Sequence, residues 1–457
     1  MDDKGWWVLE PNSQNRILTP VDDIKVKYSD NKKFEEILER INWFSPMWNR
    51  WVANADQYEL LKREALTYVV KIMAGLSFFE IKNTIFHTGI SHHIDNSLIE
   101  IACSKQSIPQ IFLHSNVING RLLPLIQRNS IDDVVEFGKK ISKYDASEDI
   151  NNFFINKLKN KEPKTAYAIS LMDKKANYGR YRLLYDAIKS FFVKKIKYFL
   201  GRSIKEVVSI LNEKPLGITD HFRLIRQQEE ALDFYLKNCM SVEEIQELEN
   251  KTSIPLVTAH FQPEATSFPM GGNWGNHVDI VLRMRNLKCT GDIIYKEHPA
   301  SWIYYEGIVG MSRVGLCRSI SYYQQLLDLG CKFLPPDYKL NIQPLVNSWY
   351  LPVTITGTIS VERSLFGLPS IYSGNPIYKG LPGTYSMDEI TDFNDFLENI
   401  QRPGLINQDD VIQNLSNQLS FTTITNILGI GTGVPLDDEE LLNTFNAEYK
   451  SLINNLD

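Results

Sequence analysis

Three short segments carry residue types suited to holding an anion and to nucleophilic or acid–base chemistry. The first is HFQPEATSFPMGG, His260 to Gly272. It follows the apolar run Ile254 to Ala259, which starts as a strand. Glu264 offers a carboxylate directly after such a strand, where it can act as nucleophile or general base. The same carboxylate can instead pair with a nearby cation and only shape the loop. Gln262 lies beside it, and Gly271 and Gly272 allow a tight turn. The second segment is YKEHP, Tyr295 to Pro299. Lys296 and His298 both suit contact with a phosphate, and Pro299 forces a turn. Alone, Lys-Glu-His-Pro is also an ordinary surface turn.

The third segment is TITGTISVERSLFGLPSIYSG, Thr354 to Gly374. A strand ends and a helix begins at Thr356-Gly357-Thr358. Free N–H groups and partial positive charge at a helix start favour an anion. Gly357 permits close approach of the backbone, and the threonine hydroxyls add donors. Glu362, one turn further, suits the hydroxyls of a ribose. The plainer role for Thr358 is a helix N-cap.

In this order and spacing, the three segments resemble the bacterial glycosyltransferases of capsule and surface-polysaccharide synthesis that use CMP-activated acidic sugars. The nearest resemblance is to the retaining transferases of β-linked Kdo, an eight-carbon 2-keto acid sugar. It covers residues 253–385. It implies a GT-B-like α/β architecture with two Rossmann-like domains. It implies a CMP-sugar donor, a glycan or glycolipid acceptor, and no cofactor. KEHP followed by TGT resembles the paired nucleotide-site motifs of such enzymes, which gives Lys296, His298, Pro299, Thr356, Gly357, Thr358 and Glu362 to the nucleotide. Gln262, Gly271 and Gly272 then line the donor loop. The acidic catalytic residue corresponds to Glu264, although some relatives carry Asp, a small residue and Ser where this chain has Glu264-Ala265-Thr266. An inverting, sialyltransferase-like enzyme and a non-catalytic glycan-binding subunit of a capsule assembly complex are the competing readings.

An N-terminal candidate site surrounds His87, His92, His93 and Asp95, in or beside a loop after the strand-like Asn83 to His87. The loop resembles the acceptor-side loop of the same family, with Ser91 in place of a proline. That gives His92 and Asp95 a role in acceptor binding or proton transfer. A histidine ending a buried strand, such as His87, is also commonly just hydrogen-bonded in the core. Adjacent histidines rarely address one ion, so no metal site is expected. The chain has no Asp-x-Asp, the usual carrier of a divalent metal in the other main transferase fold.

These segments need strands to carry them and helices between. Strand, helix and strand follow one another from Asn83 to Leu113, the mark of a parallel βαβ unit. Residues from about 130 to 250 read as mostly helical. From Ile254 onward, βα units recur. They include a helix from Ser319 to Leu329 stopped by Gly330, a strand at Lys332 to Leu334, and a helix from Thr358 to Phe366 ended by Gly367 and Pro369. The expected organisation is therefore an N-terminal acceptor-side α/β domain over 1–250 with a helical segment from about 130. A CMP-sugar-binding domain over 251–435 and a terminal helix over 436–457 follow.

Composition fits a folded chain of this size. The 457 residues suffice for two cores, and 43% are hydrophobic. A net charge of −6 argues against general nucleic-acid binding. The five cysteines form no CxxC pair and read as free thiols of a reducing compartment. The acidic N-terminus lacks a signal-peptide core. One segment runs against the overall charge: Lys174 to Lys205 is strongly basic, with Asp186 its single acid, and interleaves Phe191, Phe192, Ile196, Tyr198 and Phe199. Such a stretch suits an anionic lipid surface or glycan, or else a solvated helix face. The expected location is the cytoplasm, with peripheral contact at the inner membrane through 174–205.

Overall fold

The computed structural model describes residues 31–48, 55–78, 80, 85–87, 94–115, 122–127, 134–136, 146–159, 218–251, 253–260, 270–298, 318–336, 338, 340, 349–376, 378–400, 406–422 and 439–454. The N-terminal part holds α1 (Asn31–Trp48), α2 (Ala55–Phe78), β1 (Ile85–His87), α3 (Ile94–Lys105), β2 (Gln110–Ser115), β3 (Leu122–Gln127), β4 (Val134–Glu136) and α4 (Ser147–Lys159). Apolar residues at helical spacing close a core among α1, α2 and α3: Ile37, Ile41, Phe44 and Trp48 meet Val69, Met73, Leu98 and Ile101. The Trp48 indole N–H donates to Ser97 Oγ at 2.8 Å, so its polar edge is satisfied inside this core.

Strands β1 and β2 pair in parallel across α3, as the βαβ pattern requires. The next two strands depart from that pattern. β3 runs antiparallel to β2, and β4 antiparallel to β3. The described N-terminal sheet is thus a mixed, four-stranded sheet with one parallel pair. Doubly wound topology is confined to the second sheet.

That second sheet is built from α5 (Ile218–Lys237), α6 (Val242–Glu249), β5 (Ile254–Thr258), α7 (His277–Asn286), β6 (Ile293–Lys296), α8 (Ile320–Asp328), β7 (Cys331–Leu334), β8 (Tyr350–Thr354), α9 (Ile359–Leu365), β9 (Ser370–Tyr372), β10 (Thr384–Ser386), α10 (Phe393–Ile400), α11 (Gln408–Thr422) and α12 (Glu439–Asn454). Its six strands lie in the order β7-β6-β5-β8-β9-β10, every pair parallel. Counted from β5, this is the order 3-2-1-4-5-6 of a doubly wound Rossmann-like sheet.

Alternating side chains feed two faces, as the period of a strand dictates. Val257, Ile293, Tyr295, Phe333 and Val353 pack with Tyr235 of α5, Val281 and Met284 of α7, and Tyr323 and Leu326 of α8. Ile254, Leu256, Ile294 and Leu334 pack with Ile245 and Leu248 of α6. Ala146 and Ile150, at the start of α4, pack with α9 and α11, and Ser147 Oγ lies 3.0 Å from Ser416 Oγ. Helices α4, α5 and α6, which the sequence groups with the N-terminal unit, therefore add to the core of the parallel sheet.

The punctuation of α8 works as expected. Ser319 caps it by accepting from Tyr322 N at 3.1 Å, and Gly330 leaves it at φ +76°. Among the described residues, no helix is long and apolar enough to cross a membrane.

Candidate functional site

In a parallel sheet all strands point the same way, so the loops after β5, β6, β8 and β9 emerge at one edge. Between β5 and β8 the winding reverses, and the crossovers on either side leave a crevice. His260, two residues beyond β5, and the Thr356-Gly357-Thr358 turn beyond β8 flank this point. The structure joins them directly. Thr356 N–H donates to His260 Nε2 at 3.2 Å, and Thr354 Oγ1 lies 3.0 Å from the same nitrogen. Gly357 N–H donates to Thr354 Oγ1 at 3.1 Å. Two of the N–H groups that the turn could have offered to an anion are therefore used within the protein.

Thr358 is helical at φ −62°, ψ −13°, and its side chain makes no cap hydrogen bond. The Gly357 carbonyl accepts from Tyr378 Oη at 2.8 Å, which pins the turn from the β9–β10 side. Glycine is needed at 357 for space: a Cβ would come 2.5 Å from Thr354 Oγ1. Gly374, just past β9, is closed in by backbone as well as by a side chain. A Cβ there would lie 2.8 Å from Met270 O, 2.9 Å from Gly271 Cα and 2.9 Å from Thr356 Cγ2. Three loops therefore interlock at Gly374, further tied by Asn375 N–H to Met270 O at 2.8 Å. Gly271, assigned to the donor loop, meets the TGT turn here. Gly272 follows at φ +53° and opens a short 3-10 turn.

The KEHP segment is arranged around its glutamate. Glu297 is completely buried, and Arg318 is 1% exposed. Their side chains form an ion pair at 2.5 Å. Glu297 Oε2 also accepts from Tyr295 Oη and Tyr323 Oη, each at 2.9 Å, and Oε1 accepts from His298 N–H at 2.8 Å. The guanidinium stacks 4.7 Å from the centre of the Tyr322 ring and donates to the His260 carbonyl at 3.2 Å. Burial alone would push the Glu297 carboxyl upward. The Arg318 charge and these hydrogen bonds outweigh it and hold the group below its ordinary value. Such a saturated, paired charge is the form in which a carboxylate survives burial.

Lys296 is buried, and its ammonium donates to the Pro336 carbonyl at 2.8 Å, beyond β7. Its charge is thus directed toward β7, the side of β6 away from β8. His298 is half-buried. Burial lowers its pKa to about 4, against the pull of Glu297 and with the help of Lys296 and Arg318. His260 is lowered to about 3, by burial first and then by His298 and Arg318. Both imidazoles are neutral at physiological pH.

Glu362 is buried on the first turn of α9. Asp95 falls in the first turn of α3. The side chain of Asp95, the residues His92, Gln262, Glu264 and Pro299, and the basic segment 174–205 lie outside the described residues. Among the described residues, no group of three or more His, Cys, Asp or Glu side chains is placed to hold a metal ion.

Two residues of the site, Arg318 and His277, carried no sequence signal, and His260 opens the first segment without a role being given to it. Arg318 is separated from Glu297 by a long connection, and only its position just before the Ser319 cap hints at a fixed place. His277, at the start of α7, accepts the His260 N–H through Nε2 at 3.1 Å.

No family model, curated protein or solved structure matches the chain.

Proposed function

We propose that this protein is a GT-B glycosyltransferase that moves Kdo or a related nonulosonic acid from a CMP-sugar to a glycan or glycolipid in surface-polysaccharide synthesis. One observation carries the proposal. His260, Glu297-His298 and the Thr356–Thr358 turn stand just past β5, β6 and β8 of one parallel sheet, and His260 and the turn flank its switch point. Ligands of doubly wound sheets bind in that crevice.

In this reading the phosphate of CMP lies against the Thr356–Thr358 turn. The Thr358 hydroxyl, which makes no cap bond, supplies a donor there. His298 approaches from the neighbouring loop as a neutral imidazole. The Lys296 ammonium, held by the Pro336 carbonyl on the β7 side, contributes its positive charge from a distance and not by contact. The N-terminal part presents the acceptor, with His92 and Asp95 as its candidate polar groups. Glu264 follows β5 on the chain and is the proposed nucleophile. Its carboxylate displaces CMP from the anomeric carbon, and the acceptor hydroxyl then displaces the carboxylate, which gives retention. Neutral donors and fixed dipoles stabilise the departing phosphate without a metal. The work would be done in the cytoplasm at the inner membrane, with the basic 174–205 segment in contact with anionic lipid.

Calorimetry with CMP tests the nucleotide site. The wild type binds, and His298→Ala weakens binding by about 1.5–3 kcal/mol, the usual worth of a hydrogen bond to a charged group. Glu264→Gln keeps CMP affinity and loses turnover by several powers of ten. A His298→Ala protein with unchanged CMP affinity would remove the nucleotide from this crevice.

A further inference from the structure

The hydrogen bonds around His260 have one consistent set of directions, and together they fix its tautomer. A backbone N–H can only donate, so Thr356 N–H makes His260 Nε2 an acceptor. A neutral imidazole with a lone pair on Nε2 carries its proton on Nδ1. The same logic extends into the protein. His260 N–H donates to His277 Nε2, so His277 carries its proton on Nδ1 and donates to Tyr322 Oη at 3.3 Å. Tyr322 then donates to Tyr295 Oη at 3.2 Å, and Tyr295 to the Glu297 carboxylate. Every donor along this path points toward the buried Glu297 carboxylate. The carbonyl of His260 is held from the other side by Arg318. The residue is therefore fixed at its N–H, its carbonyl and its Nε2.

What is left is Nδ1–H. His260 is 8% exposed, and its Nδ1 has no hydrogen-bond partner among the described residues. With its N–H, carbonyl and Nε2 all engaged, this N–H is the one polar group of His260 left to meet whatever enters the crevice. This one lies at the switch point, against the turn that the proposed phosphate would occupy. We infer that His260 Nδ1–H is the hydrogen-bond donor that the crevice presents to a phosphoryl oxygen of bound CMP, an inference that rests on the nucleotide reading above. A single phosphodiester charge is well served by a neutral, preorganised donor. Burial lowers the pKa of this imidazole to about 3, so near neutral pH it offers the phosphate a neutral donor.

The experiment is NMR on the full-length chain labelled with 15N at histidine. In the free protein, two-bond 1H–15N correlations should give His260 as the Nδ1–H tautomer. Addition of CMP should move its Nδ1 resonance, whereas cytidine, which lacks the phosphate, should not. His260→Gln identifies the signal. It also keeps an acceptor where Nε2 stood, so it should fold with a near-normal melting temperature and bind CMP about tenfold more weakly. An Nε2–H tautomer in the free protein overturns the inference. So does CMP that shifts the His298 ring resonances but leaves the His260 Nδ1 signal and the His260→Gln affinity unchanged. That second result leaves the nucleotide site standing. Wild-type protein that shows no response to CMP at any resonance removes the nucleotide reading and this inference together.

Discussion

His87 and His260 are near-equivalents in chain position and opposites in role. Each follows or ends the first strand of its sheet, each is buried, and burial drives the pKa of each down, to about 4 and about 3. His87 is satisfied by a side chain: its Nε2 lies 2.8 Å from Gln110 Oε1, and the Gln110 amide donates onward to Ser104 Oγ and the Glu100 carbonyl. Its ring stacks on Phe112 at 4.4 Å. His260 instead receives a backbone N–H from the turn after β8. The first arrangement steadies a strand pair. The second ties two crossover loops together. The difference follows from topology. β1 and β2 are succeeded by antiparallel strands, so the described N-terminal sheet has no reversal of winding, whereas β5 lies at one.

The comparison is broken most severely at Arg318. Arg318→Met leaves the Glu297 carboxylate buried without its cation and should cost about 3–5 kcal/mol in urea denaturation. The folded-state pKa of Glu297 lies below its unfolded value. Its contribution is therefore full above the unfolded pKa and is lost as pH falls through the folded one. The gap between wild type and variant should accordingly shrink in acid. A gap of less than about 1 kcal/mol at neutral pH, the scale of an exposed pair, would mean that the ion pair does not hold the site edge.

Gly374→Ala comes next. The methyl group must displace the Met270 carbonyl or the Gly271 backbone, and overpacking of this kind costs about 1–3 kcal/mol. CMP affinity should fall with it, because Thr356 moves. Gly291→Ala, where nothing lies within 4 Å, is the control and should change stability by less than about 0.5 kcal/mol. Equal effects in the two variants would contradict the interlock of loops.

The smallest effect belongs to the other histidine. Gln110→Leu removes the acceptor of His87 and should cost about 1 kcal/mol, near the net worth of one hydrogen bond. CMP affinity should stay at the wild-type value. A loss of CMP binding in Gln110→Leu would erase the distinction between the two regions.

These residues also separate what a sequence displays from what it conceals. The elements of the parallel sheet were legible wherever punctuation was strong. Ser319 and Gly330 bracket α8, Gly367 ends α9, and the apolar strands stand between them. The mixed N-terminal sheet was less legible: Leu122–Gln127 carries Pro124, and the Asn119-Gly120 pair just before it, a hairpin signal, went unread. Within the site, the sequence singled out Lys296 and His298 of KEHP. The structure makes the residue between them the anchor. A glutamate in such a motif looks solvent-facing until its partner is known. Arg318 approaches through folding, not through spacing. The same holds for His260, whose meaning depends on a backbone N–H from the turn beyond β8.

The position of β5 has a consequence for how the chain acquires this site. It is hydrogen-bonded on one side to β6, its near neighbour in sequence, and on the other to β8, which is synthesised much later. Contacts across large sequence separations form slowly, since loop-closure entropy must be met before they contribute. During synthesis, β5, β6 and β7 can assemble while the far edge of β5 still lacks its partner. In that interval His260 has no turn to receive, and an apolar strand edge stands open to other chains. Completion of the crevice and closure of that edge are one event, the arrival of residues 350–357.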